Sequence, residues 1–119
     1  MNQNLNLTLA DILGDYLTGV GILTDGTNFQ YDPVTKIASS GWWKMSAGRA
    51  EGTSGVAVCV RDNDANRNAT IYVGTIIDIK TDEEGRVMVI FKVDRMIKAE
   101  NVVWSDFAGG SNPVRYYPD

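Results

Sequence analysis

The 119-residue sequence contains no histidine. That removes Ser-His-Asp and Cys-His catalysis, histidine general acid–base chemistry and every histidine-ligated metal site. Cysteine occurs once, at Cys59, so no intramolecular disulfide forms and no cysteine cluster holds zinc or iron–sulfur. Basic residues are in deficit: 11 Lys and Arg face 15 Asp and Glu, for a formal net charge of −4. Each half carries −2 (3 basic against 5 acidic, then 8 against 10), so there is no charged tail and no strongly basic nucleic-acid footprint. Long apolar runs are missing too, and no membrane-spanning segment is expected. The opening MNQNLNLTLADIL lacks a basic region followed by an apolar run, so it does not read as a signal peptide. With a free cysteine, this points to the cytoplasm. There is no internal repeat and no low-complexity segment.

What remains is ordinary for a globular domain: 44% hydrophobic and 22% charged residues. One domain over 1–119 is expected, long enough for a single real core. Leu9, Ile12, Leu13, Tyr16 and Leu17 fall on one helical face, which predicts a helix over 8–18. Thr8 stands as its N-cap, with Asp11 three residues on and a Leu7–Ile12 staple. Gly14 weakens this helix and Gly19 ends it.

The body from about 20 to 107 reads as β. Val20–Thr24 and Phe29–Tyr31 are expected to flank a hairpin turn at Asp25-Gly26, and Asp32-Pro33 breaks the pattern. A short strand is expected around Trp42–Met45, followed by a mobile glycine-rich loop to Gly55. In GVAVCVRD, Val56, Val58 and Val60 share one face, opposite Ala57 and Cys59. Ile71, Val73, Thr75, Ile77 and Ile79 share a face of the next run, with Ile76 on the other. Val87, Val89, Phe91 and Val93 alternate with Met88, Ile90, Lys92 and Asp94. Turn clusters at Asp62–Asn68 and Thr81–Arg86 make these three runs antiparallel neighbours. A further strand is expected at Asn101–Trp104, then an irregular C-terminal arm or edge segment over 108–119. Ile76, Met88 and Ile90 make the outer face apolar, so a helix, a curled-over barrel or another subunit should cover it.

Few motifs carry chemistry. Asp62-Asn63-Asp64-Ala65-Asn66 opens like a calcium loop, but Arg67 stands at the obligatory glycine and Val73 at the bidentate glutamate, so the motif fails. Gly48–Gly55 lacks the Gly-Lys-Ser/Thr ending of a phosphate loop and precedes a strand, although Arg49 there suits an anion. Cys59 sits among valines, as a packing thiol does. Asp78, Glu83, Glu84, Asp94, Glu100 and Asp106 read as a solvated face. Trp42-Trp43 is the most informative feature. Adjacent strand residues point to opposite faces, so one indole enters the core and the other meets solvent, a ligand or a partner. Trp104, Tyr116 and Tyr117 add aromatic surface of the kind found at interfaces and pockets.

From Gly55 to Phe107 the succession GVAVCVRD, YVGTIIDI, EEGRVMVIF and ENVVWSDF resembles SH3-like small barrels of the Tudor type. Trp42-Trp43 ahead of Gly55–Arg61, with Tyr72-Val73-Gly74-Thr75-Ile76-Ile77 following, is similar to PUA-like domains of the EVE type, which implies binding of modified bases or RNA. In length the chain also resembles the short orphan proteins encoded on bacterial mobile gene cassettes (integrons).

The expectation is therefore an α+β domain, mainly antiparallel β, with an N-terminal helix on a curved sheet or small barrel. Its expected function is that of a non-enzymatic binding or interaction module, self-associating through aromatic and apolar β surface, with no cofactor. Ligand or interface candidates are Trp42, Trp43, Trp104, Tyr116, Tyr117, Arg49, Arg61 and Arg67. The alternatives are a reader of single-stranded or modified nucleic acid, in which a Trp stacks on a base and the arginines meet phosphates, and a small-ligand-binding barrel.

Overall fold

A computed structural model describes residues 8–14, 16–61, 68–100, 102–108 and 112–117. Helix α1 starts where Thr8 predicts: the Asp11 N–H donates to Thr8 Oγ1 and the Thr8 N–H to Asp11 Oδ2, both at 3.1 Å, a reciprocal cap. It runs only over Leu9–Leu13, however, and not to residue 18. Beyond Gly14 the chain leaves the helical path, the Tyr16 N–H closes on Leu13 O, and Leu17 is 92% exposed. Tertiary packing overrides the helical periodicity here, because Tyr16 is needed elsewhere.

That place is a glycine platform. Strands β1 (Gly19–Thr24) and β4 (Gly55–Arg61) pair in parallel with Gly19 opposite Gly55. A Cβ at Gly55 would lie 2.5 Å from the Tyr16 ring, one at Gly19 would lie 2.7 Å from Leu13, and one at Gly21 would lie 2.9 Å from Leu9. Leu9, Leu13 and Tyr16 thus rest directly on bare backbone.

Five further strands complete a seven-stranded sheet: β2 (Phe29–Asp32), β3 (Ile37–Trp43), β5 (Ala69–Thr81), β6 (Val87–Ala99) and β7 (Val114–Tyr117), in the order β2-β3-β6-β5-β4-β1-β7. The β4–β5 and β5–β6 pairs are antiparallel, as short connections require. The expected β1–β2 hairpin does not form. Instead β2 pairs with β3 around the Asp32-Pro33 turn, where the Val34 N–H donates to Asp32 Oδ1 and the Lys36 N–H to Asp32 O. The Asp side chain makes a hairpin turn of the very dipeptide read as a break. β1 crosses over to lie beside β4, and the parallel pair makes the sheet mixed. The C-terminal segment contributes the edge strand β7, antiparallel to β1.

Three other expectations are corrected. β3 begins at Ile37 and ends at Trp43 rather than spanning 42–45, its start masked in sequence by the weak strand formers Ala38, Ser39 and Ser40. The glycine-rich segment holds a short helix, α2 (Ala47–Glu51), capped by Ser46 Oγ. Residues 104–108 form helix α3 (Trp104–Ala108) rather than closing a strand.

The sheet separates two cores. On one face α1 and α3 cover Ala57, Cys59, Ile71, Val73 and Ala99. On the other Val20, Ile22, Val56, Val58, Val87, Val89 and Phe91 face inward as the sheet curls over itself. The curl brings the Phe29 ring of β2 to 4.7 Å from the Tyr72 ring of β5, although two strands separate them in the sheet. The barrel does not close.

Two bulges let β5 and β6 serve both cores. The register shifts between Val73 and Gly74, where Asp94 is the extra residue, and between Ile76 and Asp78, where Ile77 is. Hence Ile71 and Val73 face one core and Ile76 and Ile79 the other, while Ile77 is 54% exposed. The single face read over residues 71–79 is therefore divided. The Asp94 bulge aims its carboxylate at Tyr16, whose hydroxyl donates to Asp94 Oδ2 at 2.7 Å.

Gly55→Ala should destabilise the fold by about 1–3 kcal/mol, the cost of overpacking a filled contact, measured by urea unfolding. Gly48→Ala, whose Cβ would meet nothing closer than Ser46 Oγ at 3.9 Å, should be neutral or stabilising. Equal effects would show that Tyr16 does not rest on Gly55. Burial, then the Asp94 hydrogen bond, raises the Tyr16 pKa above its ordinary value. The folded state therefore favours the neutral phenol. This contribution is intact below about pH 10 and is lost as pH climbs through the raised value. Tyr16→Phe should flatten the alkaline fall in stability; an unchanged slope would exclude this group as its source.

Candidate binding cleft

The ends of β3 and β4 and the β1–β2 connection converge on an open cleft of about 430 Å³. Trp42, Trp43 and Arg61 line it together with Asp25, Thr27 and Asn28. Strand alternation would send the two indoles to opposite faces. They share the cleft because the β3–β6 register is irregular between Ser40 and Trp43. The Gly41–Trp42 peptide in this stretch is cis.

The two tryptophans are held differently. Trp43 packs against the inner core and its Nε1–H donates to Ser40 Oγ at 2.9 Å, so its ring is a fixed wall. Trp42 is half-buried, and its indole N–H makes no hydrogen bond among the described residues. On the opposite rim, the Thr27 side chain, and then its N–H at 3.0 Å, hold the Asp25 carboxyl below the usual carboxylate range. Asn28 adopts a left-handed φ of 57°, a conformation asparagine tolerates better than most residues. Its side-chain amide has no partner among the described residues. The cleft thus combines flat aromatic walls, unspent donors and acceptors, and one charge of each sign.

The other candidates separate. Arg49, Tyr116 and Tyr117 meet at the opposite end of β1, where the Arg49 guanidinium carbon lies 3.9 Å from the Tyr116 ring centroid. Trp104 belongs to neither place: its Nε1–H donates to Asn112 O at 2.7 Å and its ring lies 5.3 Å from that of Phe107, beside the core under α3. Arg67 and the Asp62–Asn66 acidic stretch lie outside the described residues. Cys59 is fully buried in the core, as a packing thiol is. Asp78, Glu83, Glu84 and Glu100 are exposed. Among the described residues no group of three metal-ligating side chains gathers, and no helix is long and apolar enough to cross a membrane.

Sequence reasoning missed Asp25, Thr27 and Asn28 as cleft residues. Their signal was present but was spent on the hairpin that Asp25-Gly26 suggests. The outer face of β2, β3 and β6 does carry apolar surface, where Ile37, Met88 and Ile90 line a shallow groove with Asp32 and Lys80, but Ile76, expected on that face, turns to the inner core because β5 is part of the curl.

No family model, no curated protein and no solved structure matches the chain.

Proposed function

We propose that the chain is a non-enzymatic binding module whose cleft takes a small planar ligand with a hydrogen-bonding edge, a nucleobase or comparable heteroaromatic ring. One observation carries this reading: two indoles line a single concave site beside unspent polar groups. Stacking supplies affinity for any flat ring, and an indole N–H with a side-chain amide reads the polar edge. The likeness of Trp42-Trp43 and the following strands to PUA-like domains is consistent with such a ligand. The charge balance favours a free base or nucleoside over a long polyanion. Asp25 stands on the rim and the chain is −4 overall, so a phosphate backbone meets little compensation. With a single, buried cysteine that forms no disulfide, the cytoplasm is the proposed compartment.

A second reading, self-association, is favoured by the outer groove. Its Ile37, Met88 and Ile90 lie near the edge strand β2, and Asp32 and Lys80 supply opposite charges for a two-fold contact.

Nucleosides should quench tryptophan fluorescence saturably, with little dependence on salt. Trp42→Ala should weaken this by roughly 5- to 150-fold, one stacked ring's share, and leave the unfolding midpoint unchanged. Absence of saturable quenching by any purine or pyrimidine nucleoside would remove the reading. For the second reading, native mass spectrometry should show a dimer that Met88→Glu converts to monomer, and a monomeric wild type would exclude it.

A further inference from the structure

The groove at the other end of β1 has a chemistry of its own. It encloses about 240 Å³ between α2 and the β1–β7 edge and is lined by Arg49, Thr18, Thr53, Tyr116 and Tyr117 with Gly19 and Gly52. No carboxylate is among these residues, in a chain where acids outnumber bases. Arg49 is the one charge in the lining.

Arg49 is also oriented. Its guanidinium lies over the Tyr116 ring at 3.9 Å, a cation–π stack that restrains the plane while leaving its N–H edges open. Those donors make no hydrogen bond or ion pair among the described residues, even with Glu51 two positions along the same helix. The rest of the lining sharpens the requirement. The Thr53 hydroxyl donates to Ala50 O at 2.7 Å and the Thr18 hydroxyl to Gly52 O at 3.3 Å, so both protons are committed. Tyr116 packs toward the inner core and Tyr117 toward the core under the helices, so the Arg49 guanidinium stacks on the inner side of β7. The open group is therefore a fixed cationic fork, and what satisfies it is an acceptor of negative charge.

We propose that this groove is a small-oxyanion site, with Arg49 as its recognition group, taking a phosphate or carboxylate group. A planar fork already in position gives up less side-chain freedom on binding than a free arginine, and it matches two oxygens of either group. The site is independent of the tryptophan cleft and does not need it to be occupied.

The test is an NMR titration of the arginine Nε–Hε resonances with inorganic phosphate and, separately, with acetate, at constant ionic strength. The Arg49 resonance should shift saturably while that of Arg86, exposed beside β6, does not. Saturation by phosphate alone assigns a phosphate site, and saturation by acetate alone a carboxylate site. Arg49→Lys keeps the charge but loses the fork and should bind roughly ten-fold more weakly, read from the Tyr117 amide. Equal, unsaturable shifts at Arg49 and Arg86 with both anions would overturn the proposal. So would an Arg49→Lys protein, shown folded by its amide spectrum, that titrates like the parent.

Discussion

A side chain at position 74 has nowhere to go, because its Cβ would lie 1.8 Å from the Lys92 carbonyl oxygen. This close approach sits at the first bulge between β5 and β6, and much of the molecule depends on it. In a regular ladder each of the two long strands would present one set of residues to one face from end to end. The extra residue at Asp94 exchanges the faces partway along β6. Val87, Val89, Phe91 and Val93 enter the inner core, while Ile97 and Ala99 reach the core under the helices. The second bulge, at Ile77, does the same for β5. Two strands thereby support two cores, and the sheet bends enough to bring β2 over β5.

The same bulge couples the sheet to α1. Asp94 accepts a hydrogen bond from Tyr16, and Arg95, next along, donates to the Ile12 carbonyl at 2.5 Å. The helix is five residues long, too short to persist alone. Its position is held by these two contacts, by its reciprocal cap and by apolar side chains on three glycines. The helix therefore works as a cover for the sheet.

Curling without closing has a structural consequence. An open sheet leaves concave surface where its strands diverge, and two pairs of neighbouring aromatic residues, Trp42-Trp43 and Tyr116-Tyr117, line two such places. The tryptophan cleft lies past the C-terminal ends of β1 and β4, and the arginine–tyrosine groove lies at the N-terminal end of β1. One offers flat walls with mixed polar groups and the other a single stacked cation. Strand β1 contributes lining to both.

Much of the frame was legible in the residues. Alternation in Val56–Val60 and Val87–Val93 placed two strands and their inward faces, because period-2 burial leaves a direct imprint on composition. Thr8 and Asp11 marked a helix start, because capping is a local interaction between neighbours. The pairing of Trp42 with Trp43 marked the cleft. The parallel β1–β4 contact, the bulges, the early end of α1 and the convergence of Asp25, Asn28 and Arg61 on those tryptophans left no such imprint. Each depends on which segments lie side by side, and that is settled by packing between residues far apart in the chain. Local preference and periodicity act within a few residues and are set by sequence alone. Register, curvature and the grouping of distant side chains minimise the free energy of the whole sheet, so only the tertiary structure decided them.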